Sequence, residues 1–354
     1  MGKVAIIGGG LAGCAFANSC KRNGLYPIIF EQGHAIASAA SGNELGLLSP
    51  RISAEMTPYA FYYSTGFQSL VRFLDGAVQE DGADISWNKC GTLHLSVDAR
   101  KEKQFSKTVK NWGWDEKDMH SLSKGDVSKH AGIELDFDAL YLPQSGYLSP
   151  SKLCTYYADG VEVRSNEKVT DEQLADIDAD IIVLACATDL PQFELARHIP
   201  FGAVRGQVTK VAMSNASASL RCNLNYGGYC SPADENGGHM IGATFQRWLD
   251  HSRVIEADNQ ENIDALRAVA PRIVEGMDVR GSRAAVRCTT RDYFPVVGKL
   301  GQVGGKDVYI SGGHGSHGIL SSYMAALILM AQITDAPAPV PDSTLKELSP
   351  HRFL

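Results

Sequence analysis

The chain of 354 residues holds eight cysteines, at positions 14, 20, 90, 154, 186, 222, 230 and 288, yet no Cys-x-x-Cys pair and no histidine–cysteine cluster. That argues against a zinc site and a disulfide framework, and it predicts reduced thiols and no metal. Basic charge is also scarce. With 33 Lys+Arg against 40 Asp+Glu the net charge is −7. No global field therefore draws the chain to nucleic acid or anionic lipid, and a nucleic-acid partner would need a local basic patch. No apolar run reaches the ~20 residues that span a bilayer. The most apolar stretch, "GILSSYMAALILMAQI" from 318 to 333, reads as a buried helix, so no membrane partner is expected. The opening run "KVAIIGGG" has no charged leader or cleavage site, which predicts no signal peptide and a cytoplasmic location. Internal repeats, low-complexity linkers and a Ser/His/Asp constellation are missing as well.

What remains is an ordinary globular composition, 44% hydrophobic and 21% charged, at a length that suggests two joined domains. The first residues carry the first chemistry. "KVAIIGGGLAGCAFANSCKRNGLYPIIFEQG" reads as strand, glycine turn, helix and second strand. Gly8, Gly10 and Gly13 stand at the spacing that lets backbone amides approach a pyrophosphate, with Leu11 and Ala12 opening the helix whose N-terminus attracts it. Glu31 ends the second strand where a carboxylate bonds ribose hydroxyls, followed by Gln32. A dinucleotide is therefore expected.

Gly313, Gly315 and Gly318 repeat the spacing between a strand and a helix, with Ser316 and His317 inside the turn. No strand ending in an acid follows, so this is not a second dinucleotide fold. A helix N-terminus aimed at a group that becomes negative is the better role, and a reduced flavin is such a group. One fingerprint at the start and one dipole at the end predict FAD, not NAD. His314 and His317 flank this turn and either bond the ring or serve as capping or core histidines. In the loop "AASGNELG" (39–46), Ser41 is expected at the phosphates or flavin side, with Asn43 and Gly46 near the ring.

Helices are predicted over 57–80, 99–118 and 258–270, the second as a solvated surface helix. "ADIIVLACATD" is a continuous apolar run typical of a strand covered on both faces. The αβ pieces at both ends and the middle must assemble one domain from separate segments. The segment "RAAVRCTTRDYFPVVG" (283–298) reads as a buried strand with Arg287 in its middle. A guanidinium there pairs bidentately with a carboxylate, either a ligand's or that of Asp292 or another acid. Arg280, Arg283, Arg287 and Arg291 together could form a basic rim. Tyr229, in "GYCSP", contacts the substrate or packs the sheet, and Arg247, in "ATFQR", could line the site's mouth.

The set "IIGGGLAG…FEQG", "ASGNELGLLSP", "RGQV", "GYCSPADENGGHMIGATFQR", "VRCTTRDYFPVVG", "SGGHGSHGILSS" and "DSTLKELSPHRF" resembles the FAD-dependent D-amino-acid/glycine/sarcosine oxidase superfamily. Within it, the chain is similar to the oxidase domain of bifunctional tRNA 5-methylaminomethyl-2-thiouridine biosynthesis enzymes. The resemblance implies a mixed α/β fold. An FAD-binding Rossmann-like domain (1–85, 148–198, 292–354) would carry a β-rich substrate domain (86–147, 201–291) of the glycine/D-amino-acid oxidase type. It implies Val169 near the adenine and Ala185 under the cofactor. It also implies that Arg287, in the pattern R-x-x-x-x-D-x-x-P with Asp292 and Pro295, binds the substrate carboxylate, with Tyr229 as a second contact.

The implied substrate is the carboxymethylaminomethyl group of a tRNA wobble uridine, oxidised at its glycine-like C–N bond to give glyoxylate and 5-aminomethyluridine. Two alternatives stand beside it: oxidation of a free small amino acid (glycine, sarcosine or a D-amino acid), or a weakly active flavoprotein that binds tRNA or a methyltransferase. The resemblance departs at one point, because those enzymes carry a methyltransferase before the oxidase domain and here the dinucleotide fold opens at Met1. A separate methyltransferase acting on the product is the partner this implies.

Overall fold

The computed structural model describes residues 2–354. Among them the strands are β1 (Lys3–Ile7), β2 (Tyr26–Glu31), β3 (Gly46–Leu48), β4 (Thr92–Leu95), β5 (His120–Leu122), β6 (Ala139–Leu142), β7 (Gly146–Leu148) and β8 (Glu162–Ser165). They continue as β9 (Ile181–Leu184), β10 (Phe201–Ala212), β11 (Asn223–Asn225), β12 (Tyr229–Cys230), β13 (Gly238–Gly242), β14 (Val279–Thr290), β15 (Val296–Val303) and β16 (Lys306–Gly312).

Six of them form one sheet in the order β15-β16-β9-β1-β2-β8. It is parallel from β16 to β8, with β15 antiparallel at the edge. The inner parallel strands are short apolar runs buried on both faces, as in Val4–Ile7 and Ile182–Leu184, whereas β8 is a polar, exposed edge. Eight strands form a second sheet, β14-β10-β13-β12-β11-β4-β6-β5, and β3 pairs with β7 apart from both. The first sheet takes its strands from residues 3–31, 162–184 and 296–312, the second from 92–142 and 201–290.

The helix Leu11–Arg22 packs on Gly318–Thr334, and their buried faces form one core cluster with the helix Pro58–Gln79. With its preceding turn the helix Gly318–Thr334 becomes a segment running Gly315–Thr334. At 20 residues and a mean hydropathy of 1.3 it is long and apolar enough to cross a membrane, longer than the sequence pattern predicts. Its apolar character is explained by the core around it, since 61% of that window is buried inside the protein.

The helix predicted over 99–118 stops at Trp112, because Gly113 adopts φ 63° and caps it in the left-handed region. That predicted over 258–270 spans Glu256–Arg267, and Pro271 then starts a separate turn at Pro271–Val274. Thr57 caps Pro58–Gln79 by accepting from the Ala60 amide at 3.2 Å. All eight cysteines are free thiols.

Candidate active site

The chain leaves β1, β9 and β16 at their C-terminal ends beside one cavity of about 640 Å³, where open parallel sheets bind ligands. Both glycine turns reach it. Gly10, Leu11 and Ala12 line it from one turn, and Gly313, Gly315, Ser316, His317 and Gly318 from the other; Ser41, Asn43, Gly46 and Ala185 join them. Two helix starts thus converge on the same space.

The glycines have structural reasons to be there. A Cβ on Gly8, whose φ is +113°, would fall 2.6 Å from the Ala185 carbonyl oxygen. Gly8 and Gly13 shape the turn without lining the cavity. Ser41 Oγ accepts from the Leu11 amide at 2.9 Å, so this loop serine caps the first helix. Glu31 accepts from the Gly9 amide at 2.7 Å and the Gly33 amide at 2.6 Å, holding the turn against β2 with both oxygens. Glu31, Gln32 and Val169 lie outside the cavity lining. Gln32 donates to Asp189, and Val169 is buried in the apolar cluster with Phe30 and Leu184.

The two histidines separate. His314 places one ring nitrogen 3.1 Å from Ser311 Oγ and the other 2.9 Å from Ser321 Oγ, which makes it a brace between β16 and the helix that follows. Both line the cavity, and His317 has its ring centroid 5.2 Å from that of Tyr63 instead of a bracing hydroxyl.

Burial pushes the pKa of His314 down to about 4. His317 also falls to about 4, through burial and then the charges of Arg51 and Arg287, and burial takes His94 down to about 3. Each ring is harder to protonate in the fold than in the open chain, where its pKa is 6.5. Between those values the unfolded chain binds more protons, so stability is complete above pH 6.5 and is lost as pH falls toward 4. A series of melting temperatures against pH should decline across that window, above the range in which carboxylates take up most of their protons. A level series would mean that these rings are solvated.

Arg287 projects from β14 over its neighbour β10. Its guanidinium lies on Gly206: a Cβ there would sit 2.2 Å from Nη1, 2.3 Å from Nη2 and 2.4 Å from Cζ. The absent side chain in "RGQV" is thus the floor under the guanidinium. Arg287 lines the cavity, and its buried Nη1 has no hydrogen-bond partner. Burial lowers its pKa and the nearby Tyr229 opposes that; Tyr229, also on the cavity wall, has its own pKa raised by burial.

The alternative of an Arg287–Asp292 pair is not what the fold makes. Asp292 is bound by Arg352 through Nε at 3.1 Å and Nη2 at 3.3 Å, and accepts from Thr290 Oγ1 at 2.7 Å. Arginine–acid pairs among the described residues involve Arg164, Arg197, Arg205, Arg267, Arg272 and Arg352, leaving Arg287 without a protein carboxylate. A backbone bridge from Thr289 to His314 fixes the arginine strand to the second glycine turn.

Nor do the four arginines form one rim. Arg283 turns inward to Asn43 Oδ1 at 2.6 Å and to the Ala39 carbonyl, Arg280 donates to the Asn236 carbonyl, and Arg291 stays exposed. Sequence reading missed several wall residues: Arg51, His94, Lys101, Phe105, Tyr226 and Phe245. Arg51 ends the "LLSPR" run just past the small-residue loop, and its Nη1 donates to the Tyr293 carbonyl at 3.0 Å. Lys101 and Phe105 belong to the helix expected to be a solvated surface, and one of its faces lines the cavity instead.

A family profile described as FAD dependent oxidoreductase matches residues 3–332. The tRNA 5-methylaminomethyl-2-thiouridine biosynthesis bifunctional protein MnmC of Chromobacterium violaceum is 31% identical over 99% of this chain, and that of Pseudomonas aeruginosa PAO1 is 30% identical over 99%. The chain covers 59% of the length of each. Among solved structures, glycine oxidase from Geobacillus kaustophilus superposes with a TM-score of 0.82 at 19% identity, over 99% of this chain and 98% of that one. L-proline dehydrogenase from P. horikoshii gives 0.82 at 15% identity, over 99% and 97%.

Proposed function

From the premise that the chain belongs to the FAD dependent oxidoreductase family, we propose that it oxidises the glycine-like carboxymethylaminomethyl group of a tRNA wobble uridine. The protein is an FAD-dependent oxidoreductase of the glycine/D-amino-acid oxidase type. Its residues fit the cofactor: two helix starts open on one cavity, and the glycine turns leave backbone room where a Cβ would collide. Gly10–Ala12 and Ser41 would hold the pyrophosphate, and Gly313–Gly318 the flavin end, with Glu31 at the adenosine side. We take the layer around the parallel sheet as the FAD-binding domain and the eight-stranded sheet as the substrate domain. Bound FAD supplies a hydride acceptor.

One observation carries the substrate reading: a guanidinium on the cavity wall with a buried, unpartnered Nη1 and no protein carboxylate. It suits a substrate carboxylate, which it would bind through two parallel N–H···O bonds. Tyr229, kept protonated by its raised pKa, offers an O–H near the same group. Held by its carboxylate, the substrate presents the adjoining methylene to the cofactor side. The methylene loses hydride and the amine nitrogen its proton, leaving a C=N bond. Water then adds to that carbon, the C–N bond breaks, and glyoxylate separates from the 5-aminomethyl base. The product amine is what a methyltransferase would consume, in the cytoplasm where tRNA is modified. The names of the relatives support a tRNA substrate over a free amino acid.

Salt separates the two. A tRNA substrate contacting about three phosphates should lose roughly 20- to 40-fold in kcat/KM between about 50 and 200 mM salt, through counterion release. Oxidation of free sarcosine or glycine should be weak and nearly flat over the same range. Rapid turnover of sarcosine or glycine with none on undermodified tRNA would replace this reading with a free amino-acid oxidase.

A further inference from the structure

If the substrate is a base in a tRNA, as just proposed, the cavity mouth meets more than the reacting group. We propose that the loop 243–254, with Tyr293 opposite it, is the surface on which bases beside the target nucleotide stack when the anticodon loop docks.

The surface is continuous with the site, because Phe245 lines the cavity and is 42% exposed. Three residues further along, Trp248 is 76% exposed, an unusual state for the largest apolar side chain. Between them Arg247 lies over two rings, its Cζ 5.6 Å from the centre of Phe245 and 5.1 Å from that of Tyr293. Tyr293 sits at φ +58°, in the left-handed region that a bulky residue enters at a cost. Its amide donates to the Thr290 carbonyl at 3.1 Å and its carbonyl accepts from Arg51, so the turn is held in that state with the ring beside Phe245.

The loop is anchored at both ends. Arg205, fully buried, pairs with Asp258 and donates from Nη1 to Gln246 and from Nη2 to the Arg253 carbonyl at 2.6 Å. Gln207 accepts from the Ile255 amide at 2.9 Å and donates to its carbonyl at 2.8 Å. This buried polar network fixes the two stems and leaves Phe245, Arg247 and Trp248 presented outward.

Charge points to the partner. Arg247, Arg253 and Arg291 are exposed, and none is among the arginines that pair with acids in the described residues. Unpaired guanidinium charge interleaved with exposed aromatic rings outweighs the one acid of the loop, exposed Asp250, and gives a chain of net charge −7 the locally basic surface that a nucleic-acid partner requires. Aromatic faces and arginines are how proteins bind unpaired bases and their phosphates.

Trp248→Ala tests the surface, with Trp248→Phe as the variant that keeps an aromatic face. Both act on an exposed side chain, so flavin content and melting temperature should match the wild type. With undermodified tRNA, Trp248→Ala should raise KM on the order of tenfold, the loss of one base stack, and Trp248→Phe should restore most of it. The free nucleoside 5-carboxymethylaminomethyluridine, too small to reach the loop, should be oxidised equally by all three proteins.

An unchanged tRNA KM in Trp248→Ala, with the wild type active on tRNA, overturns the docking surface and leaves the functional reading standing. A wild type that ignores tRNA but oxidises free amino acids overturns both. An unchanged tRNA KM combined with lost self-association or lost methyltransferase binding would make this a protein-docking face instead.

Discussion

Arg287→Met should leave a folded, flavin-loaded protein that has lost about 3–5 kcal/mol of kcat/KM, roughly 10²- to 10⁴-fold. Methionine keeps the length and apolar contacts of the side chain and removes only the fork of donors. The substrate carboxylate would then enter a partly desolvated wall with no partner, which is the costly half of a broken charge pair. Melting should be unchanged or slightly raised, because the arginine has no protein acid to stabilise and its Nη1 has no partner to lose. Lysine at this position should recover only part of the rate, since a point charge cannot make two parallel bonds. A lower melting temperature with activity per flavin intact would show that Arg287 serves the fold and not the substrate.

Gly206→Ala should reproduce much of that loss without touching the arginine itself. The added Cβ would lie within 2.4 Å of three guanidinium atoms, far inside contact distance. The obstacle is the end of a flexible side chain, so the β10–β14 pairing across Gly206 and Ala285 should persist while the guanidinium lifts away. A displacement of about 1 Å at a positioning group costs on the order of 100-fold, so kcat/KM should fall by about 10- to 100-fold. Both changes act on one interaction, so the double variant should be no slower than Arg287→Met alone. Multiplied losses in the double variant would mean that Gly206 acts through something other than Arg287.

The difference between these two residues shows what the sequence makes legible. Arg287 stands out because a charged side chain interrupts an apolar strand run, a local contrast that needs no partner to be seen. Gly206 is one of 35 glycines, and nothing near it in the chain hints at an arginine some eighty positions away. Its meaning depends on the register in which Val204 faces Arg287, and that register exists only in the folded sheet.

Both glycine turns were readable for the same reason as Arg287: strand, spacing and helix are consecutive. The partner of Asp292 was not, since Arg352 arrives from the far end of the chain and takes the acid that proximity in sequence offers to Arg287. Arg283 misled in a similar way. Its spacing from Arg287 suggested a shared basic edge, yet it binds Asn43 and the Ala39 carbonyl in the cofactor loop. Lys101 and Phe105 lie on a helix whose charged composition reads as solvent-facing throughout, and only packing against the cavity distinguishes one side of it.

The central claim is that Arg287 orients a glycine-like secondary amine on tRNA for oxidation. Mixing the purified protein with undermodified tRNA without oxygen, then measuring flavin bleaching and glyoxylate together, tests it most directly. The account predicts bleaching by tRNA with glyoxylate released in an amount equal to the flavin reduced, and neither signal on this timescale with Arg287→Met. Bleaching by sarcosine or glycine but not by tRNA, or bleaching by tRNA without glyoxylate, would contradict it.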